Sequence, residues 1–282
     1  MARGYNSVLF VGTLTQKPEL RYTPGGLAIL DMSIAGSDHV MGNDGQMRDL
    51  AWYHRVSLLG KSAEIIADQL EQGTAVFVDG RLDFRSWTDG GGQKRSALDI
   101  KAIRVDVLSY GTRQGEAVAT DVKGQPRLHN ALNQVTLIGN LTRDVELRYT
   151  QGGDAVARLS VAVNENYRDR SGVDQERVHF VDISVWRDVA EACASLRRGD
   201  PVFVMGRFKT DNWTDRDGNR QFKNQVEGVR VEFLTRGPGG GGTSTRLAAA
   251  NDHAAGAQAS QQPSSGNLDI DEEFPPEEDL PF

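Results

Sequence analysis

The chain contains two related segments in tandem. Residues 6–26 and 133–153 are identical at 12 of 21 positions. The similarity resumes, with the alignment shifted by one position, where residues 76–81 and 202–207 share the pattern Val-Phe-Val-x-Gly-Arg. Segments with the same hydrophobic pattern are expected to fold alike. The sequence therefore predicts two domains of one architecture in a chain of 282 residues, a length that suits two domains.

The repeat also predicts the domain boundaries. We expect an N-terminal domain at 1–110, a linker at 111–131 and a C-terminal domain at 132–236. Beyond residue 236 the chain consists largely of Gly, Ala, Ser and Gln and has few large apolar residues. Such a segment cannot bury enough apolar surface to offset its loss of conformational entropy. We therefore predict that 237–282 is a disordered Gly-rich linker followed by an acidic C-terminal tail.

Each copy has the pattern of three strands, one helix and two strands. In the first copy, β-prone runs predict strands at 8–13, 27–35, 53–59, 75–87 and 94–108, with a helix at 62–71. In the second copy, corresponding runs predict strands at 135–141 and 180–186 and a helix at 189–197. Asp89-Gly90 and Asp217-Gly218 mark the turns of the final hairpins. This order is typical of the OB fold, so we predict an all-β protein with short helices, built as two tandem five-stranded Greek-key barrels.

Charge is distributed unevenly along the chain. The net charge is −7, and the segment 267–282 contains seven Asp and Glu with no Lys or Arg, so the charges of 1–266 sum to zero. The segment 1–110 holds 12 Lys and Arg against 13 Asp and Glu, and the segment 132–236 holds 16 of each. Neither copy is a basic module, so affinity for a polyanion would require a local groove of cations.

Cysteine content and the N-terminus indicate the compartment. Cys193 is the single cysteine, which excludes an intramolecular disulfide and a cysteine-based metal site. The apolar block at 8–11 is too short for a signal peptide or a membrane span. We therefore expect a cytoplasmic protein in a reducing environment.

Both copies and the C-terminal tip resemble the bacterial single-stranded DNA-binding protein (SSB) family, in the form with two OB folds per chain. The segment 52–64 and the later Trp87-Thr88-Asp89 are similar to the third-strand and fourth-strand signatures of the family. The aromatic pattern of the family is present in the second copy at Tyr167, Phe180, Trp186 and Trp213. The terminal Asp279-Leu280-Pro281-Phe282 is similar to the acidic tip of the family, which ends in Pro-Phe.

The resemblance implies sequence-independent binding of single-stranded DNA in replication, recombination and repair of DNA damage. It also implies four OB folds per assembly, which means a homodimer, located in the bacterial cytoplasm with the nucleoid. The first copy has His39-Val40 where we align Tyr167-Arg168 of the second copy, and Leu59 where the second copy has Trp186. We therefore expect the first copy to stack fewer bases.

Aromatic rings and cations are the residue types that a general single-strand binder needs. Trp87 and Trp213 lie in polar hairpin tips, where burial in a core is difficult, and we predict that they contact DNA. For Tyr53, Tyr167, Phe180 and Trp186 the prediction depends mostly on the resemblance, and the alternative is core packing. Phe77, Phe203 and Phe233 lie in apolar runs, which favours a core position or a subunit contact. The candidate phosphate ligands, each of which could instead be ordinary solvated surface, are Arg55, Lys61, Arg85, Arg168, Arg170, Lys209 and Arg220.

The C-terminal tip combines acids with apolar residues and ends in an aromatic residue. An acidic run alone would serve solubility. The group of Asp279, Leu280, Pro281 and Phe282 instead presents a ring together with the α-carboxylate, which suits a partner protein with an apolar pocket rimmed by Arg or Lys. The tail acids could also compete with DNA for the groove.

Two other classes of function remain as alternatives. OB folds occur as parts of enzymes, but the five histidines are scattered without metal-ligand spacing, and no phosphate-binding Gly-rich loop with Lys is present. We therefore predict a protein that is not an enzyme and needs no cofactor. An RNA-binding or scaffolding OB protein is the second alternative, because rings and cations suit either nucleic acid.

Overall fold

A computed structural model describes residues 4–41, 46–108, 118–121, 124–168, 172–214 and 220–234. Strands dominate these residues, and the two helices among them have seven residues each. The prediction of an all-β fold with short helices is confirmed. The segment 237–282, predicted to be disordered, lies outside the described residues, as do the acidic tip and the turn at Asp217-Gly218.

The first copy is a closed barrel. Its elements are β1 (Tyr5–Leu14), β2 (Glu19–Tyr22), β3 (Ala28–Met41), β4 (Met47–Leu59), α1 (Lys61–Ala67), β5 (Ala75–Thr88) and β6 (Lys94–Val107). Strand β1 pairs with both β3 and β5, β3 pairs with β4, and β4 closes the barrel by pairing in parallel with β6. This is the strand order of an OB fold.

The predicted linker contains a short hairpin. Strands β7 (Val118–Thr120) and β8 (Pro126–His129) pair with each other, and β8 also pairs in parallel with β3 of the first copy. The Ser37 hydroxyl donates to the carbonyl oxygen of Leu128, which is buried. The linker hairpin therefore packs on the first copy.

The second copy repeats the barrel of the first. Its elements are β9 (Leu132–Leu141), β10 (Glu146–Tyr149), β11 (Ala155–Arg168), β12 (Asp174–Trp186), α2 (Arg187–Cys193), β13 (Pro201–Thr214) and β14 (Arg220–Phe233). Strand β9 pairs with β11 and β13, and β12 closes the barrel through β14. In both copies a glycine at the bulge, Gly80 or Gly206, lets two backbones approach, because an added Cβ would clash with the carbonyl oxygen of Lys101 or Glu227.

The two barrels share one continuous sheet. Strands β1 and β9 pair in antiparallel fashion from Tyr5–Ile138 to Val11–Leu132. Val8 and Val135, which occupy equivalent positions in the repeat, are directly opposite each other. The copies are therefore related by an approximate twofold axis that passes between these two valines.

The structure differs from the sequence prediction in the short elements. Strands β2 and β10 were not predicted, because four residues carry too little periodicity. Both helices end earlier than predicted, at Ala67 and Cys193. After α1 the backbone changes to i→i−3 hydrogen bonds, from Gln69 to Ile66 and from Leu70 to Ala67, which tighten the chain and bury Leu70 completely.

The buried apolar residues of the two barrels form one continuous core. Phe10, Leu30 and Ile34 are among the fully buried residues of the first copy, and Leu137 and Val204 of the second. Phe233 packs against this core. Phe77 and Phe203 are half-buried, and they alternate with fully buried valines on β5 and β13, so their rings face away from the cores. The sequence predicted either a core position or a subunit contact for Phe77, Phe203 and Phe233. Of the three rings, only Phe233 packs against the core.

Candidate nucleic-acid interface

The arm formed by β5 and β6 carries a ring between cations. Trp87 is 47% exposed, Arg95 is its partner across the arm, and Arg85 lies two residues earlier on the same face. Arg85 pairs with Asp99 at 2.5 Å and Arg95 with Asp89 at 2.9 Å, in both cases with more than half of the Arg side chain exposed. Exposed pairs of this kind are weak, so a phosphate group can exchange for the carboxylate.

Strand β4 presents Tyr53 and Arg55 on one exposed face. These residues are two apart, so their side chains point the same way, and Leu59 follows on the same face. Lys61, the first residue of α1, is exposed immediately beyond the strand. The structure therefore places two predicted site residues of the first copy on one face of β4 and a third, exposed, just beyond the end of the strand.

The same face of β12 in the second copy carries two rings. Phe180 is 47% exposed and Trp186 is half-buried, and an even spacing along the strand places them on one face. Asp182, the repeat counterpart of Arg55, lies between them and pairs with Lys223 at 2.7 Å. Although burial opposes ionisation of Asp182, the hydrogen bonds from Lys223 and Ser160 lower its pKa, so the acid is charged and neutralised by its lysine.

The linker hairpin reaches the ring of Tyr53. The Tyr53 hydroxyl donates to Asp121 Oδ2 at 2.8 Å, and 38% of the side chain remains exposed. Burial, followed by the hydrogen bond to Asp121, raises the pKa of Tyr53, so the hydroxyl stays protonated and remains a donor at neutral pH. This contact places a carboxylate beside a predicted stacking ring.

Tyr167 lies on a different face from Phe180. The register places Ala162 opposite Phe180 and Gln175 opposite Tyr167, so the two rings are on opposite faces of the β11–β12 arm. Tyr167 is 45% exposed. The same register corrects the sequence alignment: the offset that relates 6–26 to 133–153 holds along β3 and β11, so Tyr167 corresponds to Val40 and not to His39. The first copy still lacks a ring at this position.

Lys209 is poorly placed to contact a phosphate. Its side chain is only 13% exposed, and its ammonium group lies 3.6 Å from both Asp211 and Glu227. These carboxylates neutralise the lysine, so its charge is not available to a phosphate. For Trp213, Arg168 and Arg220 the structure gives only the strand positions, on β13, β11 and β14, and Arg170 lies outside the described residues.

Four exposed rings of the described residues were not predicted from the sequence, and one of them is Tyr5, which is 50% exposed at the start of β1. Tyr22 and Tyr149 occupy equivalent positions on β2 and β10 and are 56% and 61% exposed. Their identity in both copies, within a polar Arg-Tyr-Thr segment, was an available signal. Phe222 on β14 is 71% exposed, and the repeat gave no hint of it, because its counterpart is Ser96.

The described residues show no group of three or more His, Cys, Asp or Glu that could hold a metal. His54 and His179 are buried, and burial lowers the pKa of His54 to about 3. Burial raises the pKa of Cys193 to about 12, which makes this thiol a poor nucleophile. Within the same residues, no helix is long and apolar enough to cross a membrane.

Comparison with known proteins identifies the family of the chain. The model of the single-strand binding protein family matches residues 5–108 and 132–234. The single-stranded DNA-binding proteins of Deinococcus radiodurans and Thermus thermophilus are 48% and 49% identical to this chain, over 100% of both chains in each comparison. The crystal structure of the wild-type single-stranded DNA binding protein from Thermus aquaticus matches with a TM-score of 0.67 and 43% identity, over 86% of this chain and 98% of that one.

These relatives are named for DNA binding and not for catalysis, in agreement with the prediction that the chain is not an enzyme. The chain belongs to the single-strand binding protein family, and it carries the family domain twice.

Proposed function

We propose that this protein binds single-stranded DNA without sequence preference. The observation that carries the proposal is the pair of equivalent exposed faces, β4 with Tyr53 and Arg55 and β12 with Phe180 and Trp186. Stacking on such rings is tolerant of sequence, because every base has a π-face, and nearby cations follow the backbone. The names of the full-length relatives support the same ligand.

Tryptophan fluorescence tests this function in the intact protein. Trp52 is 7% exposed in the core, whereas Trp87 is 47% exposed and Trp186 is half-buried at the surface. We expect titration with oligo(dT) to quench the surface tryptophans and to saturate. Quenching should persist at high salt, because stacking is less sensitive to salt than phosphate contacts are. If the emission does not change and no oligonucleotide binds, the proposal is wrong.

Competition between matched DNA and RNA strands separates this function from RNA binding. Rings and cations accept either polymer, and the 2′-hydroxyl is what distinguishes them. We expect the DNA strand to displace the RNA strand at lower concentration. Equal affinities would favour a general nucleic-acid binder.

The biological setting that we propose is the cytoplasm and nucleoid of a bacterium, in DNA replication, recombination and repair. In this setting the tip formed by Asp279, Leu280, Pro281 and Phe282 recruits partner proteins of those processes. The test removes the last eight residues, with Phe282→Ala as a matched variant that keeps every acid. Both variants should bind DNA but no longer retain the partners. Normal retention by both variants would show that the tail serves only solubility.

We also propose that the protein is a homodimer with four barrels. Phe77 and Phe203 lie at equivalent positions with their rings directed away from the cores, and Ile103 at the bulge of β6 is 61% exposed. Apolar side chains on an outer sheet face suit a second copy of the chain. Light scattering should give twice the mass of one chain. The double variant Phe77→Glu with Phe203→Glu should give the mass of a single chain. Ile65→Glu, at a 62% exposed position on α1, is the matched control and should leave the dimer intact.

A further inference from the structure

A ring of the first copy contacts a candidate DNA-binding ring of the second. Phe84 on β5 and Phe180 on β12 have ring centroids 5.5 Å apart and planes at 79°, which is an edge-to-face pair. Phe84 is half-buried and packs against the core, whereas Phe180 remains 47% exposed. Phe84 is therefore in a position to fix the orientation of the more exposed Phe180 ring.

Hydrogen bonds and ion pairs also join β5 of the first copy to β12 of the second, and we call this contact between the copies a joint. The backbone N–H of Phe84 donates to Nδ1 of His179 at 3.1 Å, and Nε2 of His179 is 2.8 Å from Glu165 Oε2. Because Nδ1 accepts a hydrogen bond, the ring proton is on Nε2 and is donated to the carboxylate. Glu165 also pairs with Arg81 of the first copy. The residue immediately before Phe180 is thus bound to the backbone of Phe84.

A second cross-copy ion pair lies beside the first. Asp83, which is fully buried, is 3.0 Å from Arg177 of the second copy and 2.5 Å from Lys101 of its own copy. A buried carboxylate is strongly destabilising unless it is paired, so the two cations hold β5 at this position on β12.

The opposite joint, between β13 of the second copy and β4 of the first, has different side chains. The repeat counterpart of Phe84 is Thr210, whose hydroxyl donates to Asn224 Oδ1 at 2.8 Å. The counterpart of Phe180 is Tyr53, whose hydroxyl is bound to Asp121 of the linker hairpin. The pair of Phe84 with Phe180 therefore has no counterpart at the equivalent positions. The aromatic contact between the copies on the opposite side is instead the buried pair of His54 with Phe208, with ring centroids 5.0 Å apart, and the exposed ring there, Tyr53, has a carboxylate next to it.

We propose that the first copy completes the stacking site of the second, with Phe84 as the positioning residue of Phe180. The edge-to-face contact holds the Phe180 ring in one orientation, and the part of the ring that remains exposed is available to a base. Trp87 lies three residues beyond Phe84 on the same strand, about 10 Å along it. Because successive side chains alternate, Trp87 points to the opposite face of this arm from Phe84, and the proposal concerns the Phe180 ring alone. This inference rests on the proposed binding of single-stranded DNA.

Coupling between the two rings is measured with Phe84→Leu, Phe180→Leu and the double variant in the full chain. The readout is the affinity for a short oligo(dT) at fixed salt. We expect Phe84→Leu to weaken binding about two- to tenfold, the range for loss of an edge-to-face pair. In the Phe180→Leu background the same change should have no further effect. Thr210→Ala, the matched variant at the opposite joint, should bind within about twofold of the original protein, because no ring pair is lost there.

Controls separate positioning from folding and from failure of the proposed function. Phe84→Tyr keeps the ring and should keep the affinity, and the thermal midpoint of each variant shows that it is folded. Should Phe84→Leu unfold, Phe84→Met provides a second ring-free side chain of similar volume. An equal loss in both Phe180 backgrounds, or no loss at all, would overturn the inference while leaving DNA binding intact. Failure of the original protein to bind oligo(dT) would overturn the proposed function and this inference with it.

Discussion

The two barrels have the same fold, but their proposed DNA faces differ in chemistry. On β12 the second copy carries Phe180 and Trp186, with Asp182 between them neutralised by Lys223. On β4 the first copy has Tyr53 and Arg55, with Leu59 in place of the second ring. Stacking would therefore dominate in the second copy, and phosphate contact would contribute relatively more in the first.

The interiors of the two copies differ as well. His54 in the first copy is 3% exposed among the rings of Trp52, Phe10 and Phe208, whereas its counterpart in the second copy is Val181. The two copies thus show that a repeat can preserve a backbone while both its surface and its core acquire different properties.

The largest expected difference between the copies is the pH dependence of stability that His54 gives to the first copy. Burial lowers the pKa of His54 from 6.5 to about 3, so between these values the unfolded chain binds a proton that the folded chain does not. The free energy of unfolding should therefore fall as the pH falls, by about 1.4 kcal/mol per pH unit from this group. Below the folded pKa no further loss from His54 is expected.

His54→Val, which copies the residue of the second barrel, isolates this effect. Urea unfolding of both proteins at pH 7 and pH 4 should show that the original protein loses more stability than the variant, by on the order of 3 kcal/mol. Parallel losses in the two proteins would show that His54 is already protonated in the folded state.

The next largest effect concerns the rings. Phe180→Ala with Trp186→Ala should weaken binding of oligo(dT) about tenfold to a hundredfold, because each stacked base contributes about 1–3 kcal/mol. The equivalent changes in the first copy, Tyr53→Ala with Leu59→Ala, should have a smaller effect, because one ring is lost in place of two. Fluorescence anisotropy of a labelled oligonucleotide measures both. Equal losses from the two copies would show that their faces contribute equally to stacking.

A smaller effect is expected for Arg55, which contributes through charge. Arg55→Ala should reduce the slope of log affinity against log salt by about 0.7, the value for one phosphate contact on a single strand. Arg104→Ala is the matched control, because this arginine is 67% exposed but lies on β6, outside the face of β4 that carries Tyr53 and Arg55. If both variants leave the slope unchanged, Arg55 is ordinary solvated surface.

The smallest effect is predicted for the linker hairpin. Asp121→Asn removes a negative charge 2.8 Å from the Tyr53 hydroxyl and should strengthen oligonucleotide binding about threefold, in the range of one hydrogen bond. Asp106→Asn, an acid on β6 that pairs with Arg104, is the control and should have no such effect. Weaker binding by Asp121→Asn would mean that the hairpin holds Tyr53 in place for DNA.

The architecture was predictable because the repeat and the β periodicity are local in sequence. Two copies of three strands, a helix and two strands follow from residues 6–26 and 133–153 and from the alternation around them. Membership of the family likewise follows from the segment 52–64 and the Trp-Thr-Asp of each copy. A hydrophobic pattern of period two specifies a half-buried strand whatever its distant partners are.

Only the tertiary structure decided which side chains share a face and which are neutralised. Lys209 is a surface cation in the sequence, but folding places it between Asp211 and Glu227. The contacts of Phe84 with Phe180 and of Tyr53 with Asp121 join residues that are far apart along the chain. Such contacts depend on strand register and on the approximate twofold pairing of β1 with β9, and neither is encoded in any single stretch of the chain. The sequence by itself determined two OB barrels in tandem, whereas the packing of one barrel on the other made their binding faces unequal.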